Sequence, residues 1–247
     1  MTGRLAGKRC LVTGGSRGLG RAIALGFGRA GAKVAFTYRA RAADAAVVSA
    51  ELEALGAGGA AIAGDVRDGA HARAAVAAVT SAWGGIDVLV HAAGSMQALP
   101  IAMLEEDEWD EVVDVHLKGA YLFARAALRA MIRQRSGSIL FIGSFASERV
   151  VESPAHFAAA KSGLRGLTEA LAREVGRHGV RVNCVAPGIL DAGMGRSLLP
   201  HRVREFEAQS ALGRVGSPDE VAESCVFLAS DAASLVTGAK LHVDGGV

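Results

Sequence analysis

The chain has 247 residues, 51% of them hydrophobic, enough to bury one sizeable core, and α/β chains of this length commonly form one domain. A formal charge of +2, with Lys and Arg mixed among Asp and Glu, argues against nucleic acid or an anionic membrane as the main partner and leaves small molecules or a docking protein. Cys10, Cys184 and Cys225 are odd in number and lack metal-ligand spacing, and the sequence shows neither the apolar core of a signal peptide nor a run of about 18 apolar residues, so the expectation is a soluble cytoplasmic protein with reduced thiols and no metal.

Short β-branched runs predict strands near 8–13, 33–38, 60–64, 87–91, 137–143, 180–186 and 239–243. Between them, Ala- and Leu-rich periodic segments predict helices near 18–30, 42–55, 69–83, 105–133, 153–177 and 217–229, with a shorter piece at about 196–210. This alternation, with no Pro- or Ser-rich linker, reads as one α/β domain over 1–247: a Rossmann-type, doubly wound, parallel seven-stranded sheet. The rhythm breaks only after Pro187-Gly188, so residues of about 189–212 are read as a substrate lid. Arg196, His201, Arg202 and Arg204 there could meet an anionic substrate, although Glu205 and Glu207 among them fit a solvated helix face better.

The first strand runs into Thr13-Gly14-Gly15-Ser16-Arg17-Gly18-Leu19-Gly20 and then into a helix. Glycines in that position permit a tight turn and a close backbone approach to a pyrophosphate, whose charge the helix N-terminus favours. Arg17 lies in the turn, and Arg39 follows the second strand, where an acidic residue would otherwise hold a free ribose hydroxyl; the pair favours NADP(H) over NAD(H). Two solvated surface arginines are the competing reading.

These residues, with Asp65-Val66 after strand three, His91-Ala92-Ala93-Gly94 after strand four, Ser144 after strand five, Lys161, and Pro187-Gly188-Ile189 after strand six, make the chain resemble the short-chain dehydrogenase/reductase family along essentially its whole length. Leu171-Ala-Arg-Glu-Val175, Arg181-Val-Asn-Cys-Val-Ala-Pro-Gly188 and Phe227-Leu-Ala-Ser-Asp231 are most similar to the 3-oxoacyl-acyl-carrier-protein reductases and polyketide ketoreductases within it. The resemblance implies that Gly14 through Gly20, Arg39, Asp65, Val66, Ala92, Ala93, Gly94, Lys161, Pro187, Gly188 and Ile189 line a cofactor site, with Asp65 and Val66 flanking the adenine and Lys161 holding the nicotinamide ribose. It also implies a homotetramer built through the long fourth and fifth helices. Arg135, and His178 beside Arg177, match positions where such reductases receive an acidic carrier protein near the active-site entrance, and Arg129 and Arg133 could contribute; a solvated basic rim is the alternative.

Reducing a ketone takes a hydride at carbon, a proton at the developing alkoxide, and donors that stabilise that oxygen. In the resembled family a serine and a tyrosine hydrogen-bond the carbonyl while a lysine lowers the pKa of the tyrosine. Ser144 and Lys161 match, but Ser153-Pro-Ala-His-Phe-Ala-Ala-Ala-Lys161 carries Phe157 where the tyrosine belongs. Positions four apart share a helix face, so Phe157 and Lys161 project together, whereas the adjacent His156 should point about 100° away. His116 replaces an asparagine that helps kink the helix and hold a water-fed proton relay; it could conduct protons instead or sit as a hydrogen-bonded core residue. His91 also replaces an asparagine, which bears on strand-bracing hydrogen bonds, and Ala192 replaces a threonine that touches the nicotinamide carboxamide.

The resemblance therefore implies an NADP(H)-dependent ketoreductase of β-ketoacyl thioesters, and Phe157 in place of the tyrosine predicts that it is impaired in turnover. Three accounts of Phe157 stay open: an introduced Tyr→Phe change, a naturally divergent enzyme, or a non-catalytic subunit in a hetero-oligomer with a related reductase.

Overall fold

A computed structural model describes residues 3–147, 149 and 151–247. The chain alternates β1 (Arg9–Thr13), α1 (Gly18–Arg29), β2 (Lys33–Tyr38), α2 (Ala42–Ala54), β3 (Gly58–Ala63), α3 (Gly69–Trp83) and β4 (Val88–His91). It continues through α4 (Glu106–Val113), α5 (Gly119–Gln134), β5 (Gly137–Ile142), α6 (Ala155–Val175), β6 (Val180–Pro187), α7 (Pro200–Gln209), α8 (Pro218–Ala229) and β7 (Lys240–Val243). All neighbouring strands are parallel, in the order β3-β2-β1-β4-β5-β6-β7. That order reverses between β1 and β4, and a parallel sheet opens a ligand crevice at the carboxyl ends of its strands at this point.

Parallel strands covered on both faces read as continuous apolar runs, as in Leu11-Val12 and Val88-Leu89-Val90. On one face α1, α2 and α8 bury Ile23, Phe27, Val48, Leu52 and Val226 against Val12, Phe36 and Leu140. Across the sheet, α3, α5 and α6 bury Val76, Phe123, Met131 and Leu164 against Leu11, Leu89 and Phe141. Local signals fix several boundaries: Asp68 caps α3 by accepting from the Ala70 N–H at 2.7 Å, and α8 opens with Pro218 in its first turn and a Ser217/Glu220 capping box.

Three expectations need correction. The helix predicted at 105–133 is two helices joined by a π-helical turn at Asp114–Lys118, because His116 at its centre turns to hydrogen-bond the backbone of Ser95. The helix predicted at 153–177 starts at Ala155, since Pro154 is extended (φ −55°, ψ 133°), and closes in a 3-10 turn over Gly176–His178. Within the predicted lid, only Pro200–Gln209 is α-helical, preceded by a 3-10 turn at Gly193–Ser197.

Candidate active site

The glycine turn after β1 forms a close-fitting cradle. Gly14 takes φ +68°, and a Cβ there would lie 2.7 Å from the Ala93 Cα; one on Gly20 would lie 2.2 Å from the Gly14 carbonyl oxygen. Arg17 precedes α1 without a side-chain cap, and the first turn of α1 carries no acidic residue. Free N–H groups at that end are what a pyrophosphate needs, so the cradle fits a dinucleotide. Ser16 is nearly buried and Arg17 exposed beside it, while Leu19 packs against the core under α1.

At the adenine end the charges are already paired. Asp65 accepts from the Arg67 guanidinium at 2.7 Å, which holds its carboxyl below the usual range, and Val66 is buried beneath it. Arg39 reaches across to Glu111 on α4 at 3.3 Å and lies 4.0 Å from Asp65. Arg67 and Glu111 were not among the expected site residues; Arg67 was discernible only as a basic side chain two positions after Asp65.

His91 does not weaken the brace between strands, as the replaced asparagine had suggested. Its Nδ1 accepts from the Thr13 hydroxyl at 3.0 Å, and its Nε2–H donates to the Val115 carbonyl at 3.0 Å. Thr13 Oγ1 in turn accepts from the N–H groups of Ala92 and Ala93, each at 3.1 Å. Every polar atom of this network is used, and it ties β1, β4 and the π turn together. Complete burial holds the imidazole neutral, with its pKa down at about 4.

Ser144 stands just beyond β5. Its Oγ accepts from the Ala146 N–H at 3.2 Å, and its hydroxyl hydrogen has no acceptor among the described residues, so it is available for a substrate oxygen. Lys161, on α6 and 4% exposed, donates to the Ile142 carbonyl at 2.6 Å, at the same strand end. Burial lowers its pKa to about 8. Phe157 lies one turn earlier on α6, its ring centroid 5.6 Å from the Lys161 Nζ, as the shared helix face required.

His116 packs edge to face on Phe157, with centroids 5.3 Å apart and planes at 89°. Its Nε2–H donates to the Ser95 carbonyl at 2.7 Å, the buried Nδ1 has no partner among the described residues, and burial holds its pKa well below 6.5. A neutral, bonded imidazole favours the core reading over a charged acid. His156 is buried too, neither ring nitrogen is bonded among the described residues, and it interacts electrostatically with Glu108 on α4 and with His116.

Gly188 leaves no room for a side chain: a Cβ would meet Phe206 at 2.6 Å and Asp244 at 2.9 Å. Phe206 of α7 packs edge to face on Phe145, the residue after Ser144, with centroids 5.3 Å apart. Arg202 is ion-paired with Glu152 and Glu205, and Arg196 bonds the Asp191 carbonyl, so these two lid arginines are already engaged. Pro187 ends β6, Ile189 follows Gly188, and Ala192 precedes the 3-10 turn.

The basic residues expected at the entrance are elsewhere in this chain. Arg135 caps the C-terminus of α5 and reaches the Arg177 carbonyl at 3.4 Å, with His178 beside it. A helix following a parallel strand runs back to the amino ends of the strands, so Arg135 lies about 20 Å, the length of β5, from Ser144.

A sequence profile of the family described as Enoyl-(Acyl carrier protein) reductase matches residues 14–247. The chain is 38% identical over 240 residues to the 3-oxoacyl-[acyl-carrier-protein] reductase of Staphylococcus aureus, covering 97% of this chain and 98% of the relative. The chain belongs to the short-chain dehydrogenase/reductase family. Its likeness to the 3-oxoacyl-[acyl-carrier-protein] reductase of Escherichia coli (strain K12) is 37% over 241 residues, 98% of this chain and 97% of that one. Among solved structures, a short-chain dehydrogenase from Burkholderia cenocepacia J2315 in complex with NADP superposes with a TM-score of 0.91 at 37% identity, covering 98% of each chain. A dehydrogenase/reductase from Sinorhizobium meliloti 1021 gives 0.89 at 38%, covering 98% and 95%. As a short-chain dehydrogenase/reductase the chain has the expected seven-stranded fold. Among the described residues, no helix is long and apolar enough to cross a membrane, and no cluster of His, Cys, Asp and Glu could hold a metal ion.

Proposed function

We propose that this chain is an NADP(H)-dependent ketoreductase of β-ketoacyl thioesters, slowed because Phe157 stands where its relatives' chemistry uses a tyrosine. The observation that carries the reading is the convergence of a free Ser144 hydroxyl hydrogen and the buried Lys161 ammonium at the carboxyl end of β5, beside the glycine cradle. A bound NADPH would supply the hydride. Ser144 would donate a hydrogen bond to the ketone oxygen and strengthen it as charge builds there. Arg39 would exchange Glu111 for the 2′-phosphate, and the Phe206–Phe145 contact would hold the lid over the reacting carbon. The NADP complex of the Burkholderia cenocepacia structure and the names of the curated relatives support the cofactor and the thioester class.

Natural divergence is the account of Phe157 that the packing favours. Phe157 rests edge to face on His116, itself a departure from the family pattern, and Gly94 leaves the space that His116 fills. Assembly as a homotetramer through α5 and α6 belongs to the same reading. A carrier-bound substrate would then rely on contacts other than Arg135 and His178 of the same chain.

The test is NADPH oxidation with a β-ketoacyl thioester by the native chain and by Phe157→Tyr, with mass in solution recorded for both. A gain on the order of 100-fold with tyrosine is expected, the contribution of a positioned acid. No turnover by either protein, with NADPH still bound, would instead favour the non-catalytic subunit.

A further inference from the structure

An ammonium ion taken out of water normally needs a carboxylate nearby to offset the lost hydration. Lys161 has none. Among the described residues its Nζ reaches a single hydrogen-bond acceptor, the Ile142 carbonyl, and its other close neighbour is the Phe157 ring. The titratable groups that face it are His91 on β4, His116 in the π turn and the Cys184 thiol on β6, with no acid among them. An ammonium carries three N–H donors, and Ile142 takes one. Two remain, to be shared between the nicotinamide ribose that the resemblance assigns to Lys161 and a substrate oxygen at the end of β5, two residues before Ser144.

We propose that Lys161 is itself the acid of this site, handing a proton from Nζ directly to the alkoxide oxygen of the reduced substrate. This inference rests on the ketoreductase reading. With a tyrosine at position 157 a phenol oxygen would take that role; with phenylalanine there, no side-chain oxygen of α6 competes with the ammonium for the substrate. The balance is simple. A bound reduced nicotinamide would supply the hydride; as the ketone carbon takes it, the carbonyl π pair moves onto oxygen, and that oxygen takes the proton as one N–H bond of Lys161 breaks. The neutral amine left behind regains its proton from water. Burial places the Lys161 ionisation at about 8, close to the pH at which the acid would work, where a solvated lysine near 10.5 would hold its proton too tightly.

Two measurements test this, one of them independent of turnover. An NMR titration of the lysine Cε and Nζ resonances in the native protein, with Lys161 assigned by its disappearance in Lys161→Arg, should show Lys161 ionising at about 8. The pH dependence of kcat with NADPH and a 3-oxoacyl thioester should then be flat below that value and fall about tenfold per unit above it. Lys161→Arg keeps a cation and donors but does not release a proton. At saturating NADPH it should lose about 100-fold in kcat together with the alkaline limb, whatever the change in its NADPH affinity. A Lys161 that titrates with the surface lysines, a kcat indifferent to its titration, or a fully active Lys161→Arg overturns the proposal while leaving the ketoreductase reading in place. Absence of turnover in both the native chain and Phe157→Tyr removes the two together.

Discussion

His91 offers a quantitative test of the brace between β1, β4 and the π turn. Folded, its imidazole titrates at about 4; unfolded, at 6.5. Between these values the unfolded chain binds more protons, so stability rises with pH through the window and is lost on acidification. From about pH 7 to about pH 5 the loss assigned to this one group is about 2 kcal/mol, approaching about 3 kcal/mol at lower pH. His91→Asn removes the titration while keeping a polar side chain. Urea unfolding of both proteins, followed by the fluorescence of Trp83 and Trp109 at a series of pH values, separates this effect from every other group, because His71, His116 and the carboxylates are present in both. The variant should lose about 2 kcal/mol less than the native protein over that interval, whatever its stability at neutral pH. Parallel curves would show that burial does not hold His91 neutral.

Two further outcomes follow from the geometry. Phe206→Ala removes the ring that seats α7 on Phe145 and Gly188; at about 3 kcal/mol for a buried phenyl, amide exchange over 200–209 should quicken about a hundredfold while the β-strand amides keep their protection. Arg39→Ala should weaken NADPH binding roughly 10- to 100-fold, the worth of a charge-assisted hydrogen bond to the 2′-phosphate, and leave NADH within twofold, as read by nucleotide fluorescence titration.

The architecture was legible because its signals are local and repeated: β-branched runs, periodic helices and a glycine turn in the one place where a strand feeds a helix. Phe157 and Lys161 were readable for the same reason, since four residues on a helix fix a shared face. What depended on contacts between distant segments was not readable. The π turn at Asp114–Lys118 arises from His116 meeting Ser95, 21 positions away, and nothing in the periodicity of 105–133 announces it. His91 looked like a lost asparagine because its partners, Thr13 and Val115, lie on two other elements. Arg135 was set near the entrance by analogy, whereas the direction of α5 in a βαβ unit places it at the other end of the sheet.

The closeness of Gly94 and His116 couples the two positions. A β-carbon at position 94 would sit 2.5 Å from the His116 Cε1, so it enters only if the imidazole shifts. A shorter side chain at 116 would remove that clash. With the histidine in place, the ring must move away from its Ser95 contact to admit a side chain at 94. Substitutions at the two sites are therefore strongly non-additive: Gly94→Ala should be costly alone and mild beside His116→Asn.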